Sequence, residues 1–131
     1  MTILIINMIQ EENSLHENEF LNPIIDIIEK TKIDFKIIHY LKLNEISIEN
    51  YEKIILSGTS LKDNEYLNHI DKFQKLKEYK NFILAICAGA QIIAKIHNAK
   101  IKKGKEIGLM ETILVKENQI LNLVPINQRY T

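Results

Sequence analysis

The sequence predicts an α/β protein in which helices cover a mostly parallel sheet. Short β-branched runs bounded by polar turns recur at Thr2–Asn7, Asp34–Tyr40, Glu52–Leu56 and Phe82–Ile86. Their length and composition are those of buried strands. Between them lie longer stretches with apolar residues at three- and four-residue spacing, the stripe of a helix packed on a sheet. Strands that alternate with helices join in parallel through right-handed crossovers.

Taken in order, Thr2–Asn7 (TILIIN) is a buried first strand and Gln10–Asn18 a polar, Glu-rich loop. Glu19–Lys32 carries Phe20, Leu21, Ile24, Ile25, Ile27 and Ile28 on a helical stripe. Pro23 is tolerated there if it falls in the first turn. Asp34–Tyr40 is the second strand, Leu41–Asn50 a connecting loop and Glu52–Leu56 the third strand. Asp63–Tyr79 reads as one helix with Tyr66, Leu67, Ile70, Phe73, Leu76 and Tyr79 inward, capped by Asp63 or Ser60. Phe82–Ile86 has the flanks of a strand buried on both faces, and the helical pattern of Gln91, Ile92, Ile93 and Ile96 follows. Ala99–Ile101 is expected as a short strand, and Glu111–Lys116 with Gln119–Leu123 as a hairpin around Glu117–Asn118. The expected architecture is a flavodoxin-like three-layer α/β/α sandwich, a single domain over residues 1–131.

Composition narrows the function classes. At 131 residues the chain is long enough to bury a core without disulfides or metals. Seventeen basic residues balance seventeen acidic ones, so no global field draws the protein to nucleic acid or an anionic membrane. One cysteine excludes an internal disulfide and a multi-cysteine zinc site, and suits a reducing cytoplasm. The opening Ile3–Ile6 run is too short for a signal-peptide core, and no segment has the apolar length of a membrane span. Phosphate-loop and dinucleotide-binding glycine motifs are absent, as are clustered metal ligands. Neither a cofactor nor a metal is expected.

The chemistry concentrates at Asn81–His97, NFILAICAGAQIIAKIH. Cys87 stands between a strand and the first turn of a helix, where α/β enzymes place a nucleophile. Such a turn lifts the side chain above the carboxyl edge of the sheet, and a helix N-terminus favours the thiolate. Ala85, Ala88, Gly89 and Ala90 are small enough for a sharp turn. The competing reading is structural, since free cysteine is among the most buried residue types. Ser57–Ser60 follows the third strand, so it and Cys87 fall at the same carboxyl edge, where ligands bind in such sheets.

Two motifs resemble the class I (triad-type) glutamine amidotransferase family. Ile54-Ile55-Leu56-Ser57-Gly58-Thr59-Ser60 is similar to its strand and oxyanion loop, and Ala85-Ile86-Cys87-Ala88-Gly89-Ala90-Gln91 to its nucleophile elbow. The Lys102–Gly108 run resembles the segment after the elbow helix. The resemblance implies that Cys87 attacks the side-chain amide of glutamine, forms a γ-glutamyl thioester and releases ammonia to a synthetase partner. It further implies an oxyanion hole from backbone N–H groups of Ala88 and around Gly58, with Gln91, Gly89 and Thr59 on the substrate side. Gln91 lies one helical turn beyond Cys87, on the same face.

Departures from the family pattern are Ala85 in place of Gly, and Thr59-Ser60 in place of Gly-Pro. The family's His-x-Glu pair, well downstream of the cysteine, has no counterpart before Thr131, so the chain reads as truncated ahead of it. His97 stands ten residues beyond Cys87, about 15 Å along a helix, and His16, His39 and His69 are expected to be solvated or locally satisfied. The expectation is therefore weak or no glutaminase turnover by this polypeptide, because general-base help contributes about 10²–10⁴-fold. Two alternatives stand beside it. One is a PfpI-type cysteine hydrolase or deglycase, which pairs its cysteine with a Glu near the end of the first strand, here Glu11, Glu12 or Glu17. The other is a non-catalytic regulatory domain of the same fold.

Overall fold

The computed structural model describes residues 1–117, 119, 123 and 125–130. They fall into two compact units, residues 1–101 and residues 102–131. The first unit holds a four-stranded sheet of β1 (Thr2–Asn7), β2 (Asp34–His39), β3 (Lys53–Leu56) and β4 (Phe82–Ala85) in the order β2-β1-β3-β4. Every neighbouring pair is parallel, in register Thr2↔Asp34, Ile3↔Lys53 and Lys53↔Phe82. The expected α/β fold with a parallel sheet is present.

Side-chain alternation along β1 divides the core between the two faces. Leu4 and Ile6 point to one side with Ile54 and Leu56, where they meet Phe73, Leu76, Ile92 and Ile96. Ile3 and Ile5 point to the other with Ile55, where they meet Leu21 and Ile28. Each such side chain contributes roughly 1.5–3 kcal/mol by leaving water, so β1, buried on both faces, is the spine of the unit.

Helices α1 (His16–Phe20) and α2 (Asn22–Thr31) follow β1. Pro23 sits in the first turn of α2, where its missing N–H costs nothing, and Lys32 ends the helix with a left-handed φ of 57°. The Leu41–Asn50 connection contains 3₁₀ turns over Tyr40–Glu45 and Ile48–Asn50. The helix α4 (Ala88–Ile96) follows β4 directly.

Three sequence expectations need correction. The Asp63–Tyr79 helix is broken into a 3₁₀ turn at Glu65–His69, a short α3 (Ile70–Phe73) and a second 3₁₀ turn at Gln74–Glu78. Its inward face is nevertheless the expected one, with Tyr66, Phe73 and Leu76 buried. Packing of those three anchors against the sheet outweighs regular helix geometry. The strand ending at Cys87 is not buried on both faces. Among the described residues it is an edge strand whose Ile83 and Ala85 pack on the core, while Phe82 and Leu84 are 61% and 40% exposed. A continuous apolar run says nothing about which face is covered, because that depends on the helices that cross the sheet.

Ala99–Ile101 forms no strand; the chain leaves α4 through a turn with Asn98 at φ 63°. In the second unit, β5 (Thr112–Ile113) pairs antiparallel with β6 (Arg129–Tyr130). Residues 120–122 of the expected Gln119–Leu123 arm lie outside the described residues. Arg129 supports the observed pairing from 3.3 Å to Glu111, and the Tyr130 hydroxyl donates to the Pro125 carbonyl at 3.1 Å.

Candidate active site

β3 and β4 deliver the site. The ladder runs one residue past β4, with Ile86 N–H donating to the Leu56 carbonyl at 3.0 Å. The chain then turns sharply at Cys87, whose φ of 48° and ψ of −105° are unusual for a side chain of any size. A conformation of this kind costs on the order of 1–3 kcal/mol and persists only where its surroundings hold it. Here Gly89 N–H donates to the Ile86 carbonyl at 2.9 Å, and Gln91 N–H to the Cys87 carbonyl at 3.0 Å. Cys87 is exposed and unpaired in any disulfide.

Gly89 makes the elbow fit. A Cβ built there would stand 2.5 Å from Leu56 Cβ and 3.0 Å from the Leu56 carbonyl oxygen, so only glycine lets α4 begin this close to β3. Its place is against Leu56. Gly58 is less constrained, with 3.3 Å from an added Cβ to Cys87 Cβ.

The loop after β3 is tied down at each residue. Ser57 N–H donates to the Ile6 carbonyl at 3.1 Å, and its hydroxyl accepts from Met8 N–H and donates to the Gly58 carbonyl, each at 3.0 Å. The Thr59 hydroxyl donates to Asp63 Oδ2 at 2.6 Å, and Asp63 N–H donates to the Ser60 carbonyl at 3.0 Å. Asp63 Oδ2 also accepts from Gln10 N–H at 2.8 Å, and Oδ1 from Glu65 N–H at 3.3 Å. Where the family pattern has Gly-Pro, this chain holds its loop through a buried carboxylate. The sequence suggests Asp63 only as a helix cap; its wider role depends on the β1 loop folding back onto it.

Gly58 and Ala88 are both buried, and among the described residues neither N–H donates to a protein acceptor. Buried backbone donors are almost always paired. These two donors lie on the loop after β3 and on the first residue of α4, the two segments that meet at Cys87.

A cleft of about 40 Å³ opens between these elements, with Cys87, Ala88 and Gln91 on the α4 side and Thr59, Ser60 and Tyr66 among those facing them. A larger cleft of about 400 Å³ shares Ser60 and Asp63 with it and extends over Gln10, Ser14 and Lys62. It lies above the carboxyl ends of β1 and β3, where the strand order reverses.

The sequence marks Tyr66 only as a core position on the Asp63–Tyr79 stripe. Its hydroxyl donates to Gln91 Oε1 at 2.8 Å. Burial, and then the negative charges of Cys87 and Asp63, raise its pKa above the ordinary tyrosine value.

No histidine lines the Cys87 cleft. His39 is buried, with Nε2 2.6 Å from the Ile9 carbonyl and Nδ1 3.3 Å from Leu41 N–H. His69 Nε2 is 3.1 Å from Glu65 Oε1, and His97 Nδ1 is 2.9 Å from the Ile93 carbonyl. His16 and Glu11 line the larger cleft. Glu17 accepts from Asn7 Nδ2 at 3.1 Å and Asn13 N–H at 2.9 Å, and Glu12 pairs with Lys42 at 3.4 Å.

The fold and the geometry at Cys87 define an α/β protein with a cysteine on a strand–turn–helix elbow. Residues 15–128 match the family model of Glutamine amidotransferase class-I, and the chain belongs to that family. It is 32% identical over 97 residues to gamma-glutamyl peptidase 4 of Arabidopsis thaliana, a match covering 65% of this chain and 39% of that protein. Its fold is similar to that of a glutamine amidotransferase from Thermotoga maritima, with TM-score 0.58 and 23% identity over 98% of this chain and 57% of that one. The chain thus spans well under two thirds of the length of either. No described helix is long and apolar enough to cross a membrane.

Proposed function

We propose that Cys87 is the nucleophile of a site that cleaves the side-chain amide of glutamine. Its sulfur adds to the amide carbon, and the carbonyl electrons move onto oxygen. The N–H groups of Ala88 and Gly58 receive that oxyanion. Collapse passes the proton given up by the Cys87 thiol to the leaving nitrogen, expels ammonia and leaves a γ-glutamyl thioester, which water hydrolyses to glutamate and the free thiol. Gln91 and Thr59 contact the substrate, and a synthetase partner consumes the ammonia. The observation that carries this reading is a pair of N–H groups, on buried residues and without a protein acceptor among the described residues, flanking a strained cysteine. Oriented donors of this kind are typically worth about 2.7–4 kcal/mol in the transition state when one is removed.

The test is alkylation of Cys87 by a chloroketone analogue of glutamine, followed by intact-protein mass spectrometry. Glutamine should protect the thiol, and Cys87→Ser should take up no label. Labelling that glutamine leaves unchanged would count against the reading. Ammonia release from glutamine by this 131-residue polypeptide is expected to be slow, since all four histidines are engaged or placed elsewhere.

A second reading, hydrolysis of γ-glutamyl peptides, is favoured by the larger cleft that shares Ser60 and Asp63 with the cysteine site. Similarity to a gamma-glutamyl peptidase points the same way. It separates from the first by competition: a γ-glutamyl dipeptide should then protect Cys87 at lower concentration than glutamine does. The PfpI-type alternative has less support, because none of Glu11, Glu12 or Glu17 lines the Cys87 cleft. The regulatory alternative predicts that Cys87→Ala behaves as wild type throughout.

A further inference from the structure

Gln91 has an amide with two chemically different ends, and which end faces the cysteine decides what the cleft can recognise. A carboxamide oxygen accepts hydrogen bonds, whereas its nitrogen donates two. Tyr66 occupies one end: its hydroxyl lies 2.8 Å from Oε1. Among the described residues Gln91 Nε2 donates to no protein acceptor. Both side chains line the small cleft with Cys87.

The two residues come from different parts of the chain. Gln91 rides on α4, one turn beyond the elbow. Tyr66 belongs to the 3₁₀ turn that follows the loop clamped by Asp63, and only 3% of its surface is exposed. Its ring cannot swing away without opening the core. Like any tyrosine its hydroxyl is protonated across the neutral range, and so able to donate.

We propose that Tyr66 is a positioning residue that holds the Gln91 carbonyl away from the cleft and presents the Gln91 amide nitrogen to the substrate. The cleft then offers a donor to a substrate oxygen, the carbonyl or carboxylate of a glutamyl compound, and disfavours a cationic group at that spot. This rests on the reading of the Cys87 cleft as a glutamine site, and it adds the orientation of one recognition group.

The experiment follows alkylation of Cys87 as a function of reagent concentration, with the glutamine chloroketone and, in parallel, with iodoacetamide. Iodoacetamide reports thiol reactivity and access without glutamyl recognition. For Tyr66→Phe, the half-saturating chloroketone concentration is expected to rise about three- to tenfold, the worth of one net hydrogen bond, with the iodoacetamide rate within about twofold. Gln91→Glu retains an acceptor for Tyr66 but lacks the nitrogen donor, and should show an equal or larger rise. The double variant should show no further loss, as expected for residues acting through one another.

An unchanged half-saturation in Tyr66→Phe would overturn the proposal, as would additive effects in the double variant. So would an equal slowing of iodoacetamide, which would mean a general structural role. If the wild-type protein shows no saturation with the chloroketone, the glutamine-site reading itself fails and takes this proposal with it. Saturation in the wild type with no effect of Tyr66→Phe removes the proposal alone.

Discussion

Gly89 and Leu56 approach so closely that an added Cβ would sit 2.5 Å from the Leu56 side chain and 3.0 Å from its carbonyl oxygen. This contact seats the first turn of α4 on the end of β3 and brings the elbow beside the Ser57–Ser60 loop. Gly89→Ala should therefore destabilise the protein by about 2–4 kcal/mol, the range of severe overpacking against backbone. Urea denaturation checks it. Gly104→Ala, which meets nothing within 4 Å, should stay within about 0.5 kcal/mol of wild type.

The backbone at Cys87, φ 48° and ψ −105°, is easier for glycine than for any residue with a Cβ. Cys87→Gly is expected to be more stable than Cys87→Ala by about 1 kcal/mol, once relief of strain is set against the looser unfolded chain. Thermal denaturation of the two variants side by side decides this. Equal midpoints would mean the turn stores no strain.

Thr59 Oγ1 and Asp63 Oδ2, 2.6 Å apart, hold the loop that carries Gly58. Thr59→Val keeps the shape and leaves a buried carboxylate short of one donor. The expected cost is about 1–3 kcal/mol, with slower alkylation of Cys87 by the glutamine chloroketone, because the loop loses its anchor. A variant with wild-type stability and labelling would show that the clamp is dispensable.

Tyr40 is fully buried, and its hydroxyl has no hydrogen-bond partner among the described residues. Burial, then the charges of Asp63 and Glu65, push its pKa up to about 12. The unfolded chain would release that proton near the ordinary tyrosine value of about 10. The folded-state pKa is thus the higher one, so its contribution is complete below pH ~10 and is lost as pH rises towards ~12. With allowance for solvent screening the loss is on the order of 1–2 kcal/mol. Tyr40→Phe should remove this alkaline loss, and at neutral pH should stabilise by about 1 kcal/mol by deleting an unsatisfied hydroxyl. Urea titrations at pH 7 and pH 11 measure both effects.

Much of the first unit was legible from residue pattern alone. β1, β2 and β3 follow from short β-branched runs, and α2 from the Phe20–Ile28 stripe with Pro23 at its start. The elbow was legible too, because Cys87 followed by Ala88, Gly89 and Ala90 is a local arrangement that strand, turn and helix chemistry can recognise. The family membership followed from the same stretch together with Ser57–Ser60.

Other features depended on distant residues and were not legible. The open face of β4 is set by where the helices cross the sheet, which Phe82–Ile86 does not encode. The breaks in Asp63–Tyr79 arise because Tyr66, Phe73 and Leu76 are pulled to sites on the sheet that a regular helix would not meet together. The β5–β6 pairing joins Thr112 to Tyr130, a choice among partners that similar short runs leave open.

The sequence by itself determined that a parallel α/β sheet presents a cysteine at its carboxyl edge, because strand length, helical spacing and small turn residues are local physics. Only the tertiary structure decided what surrounds that cysteine. The Asp63 clamp, the nearness of Gly58 to the Cys87 elbow, and the Tyr66 hydroxyl on Gln91 are each built from segments far apart in the chain. Hydrogen bonds across such separations follow from packing, and packing is settled by the whole core at once.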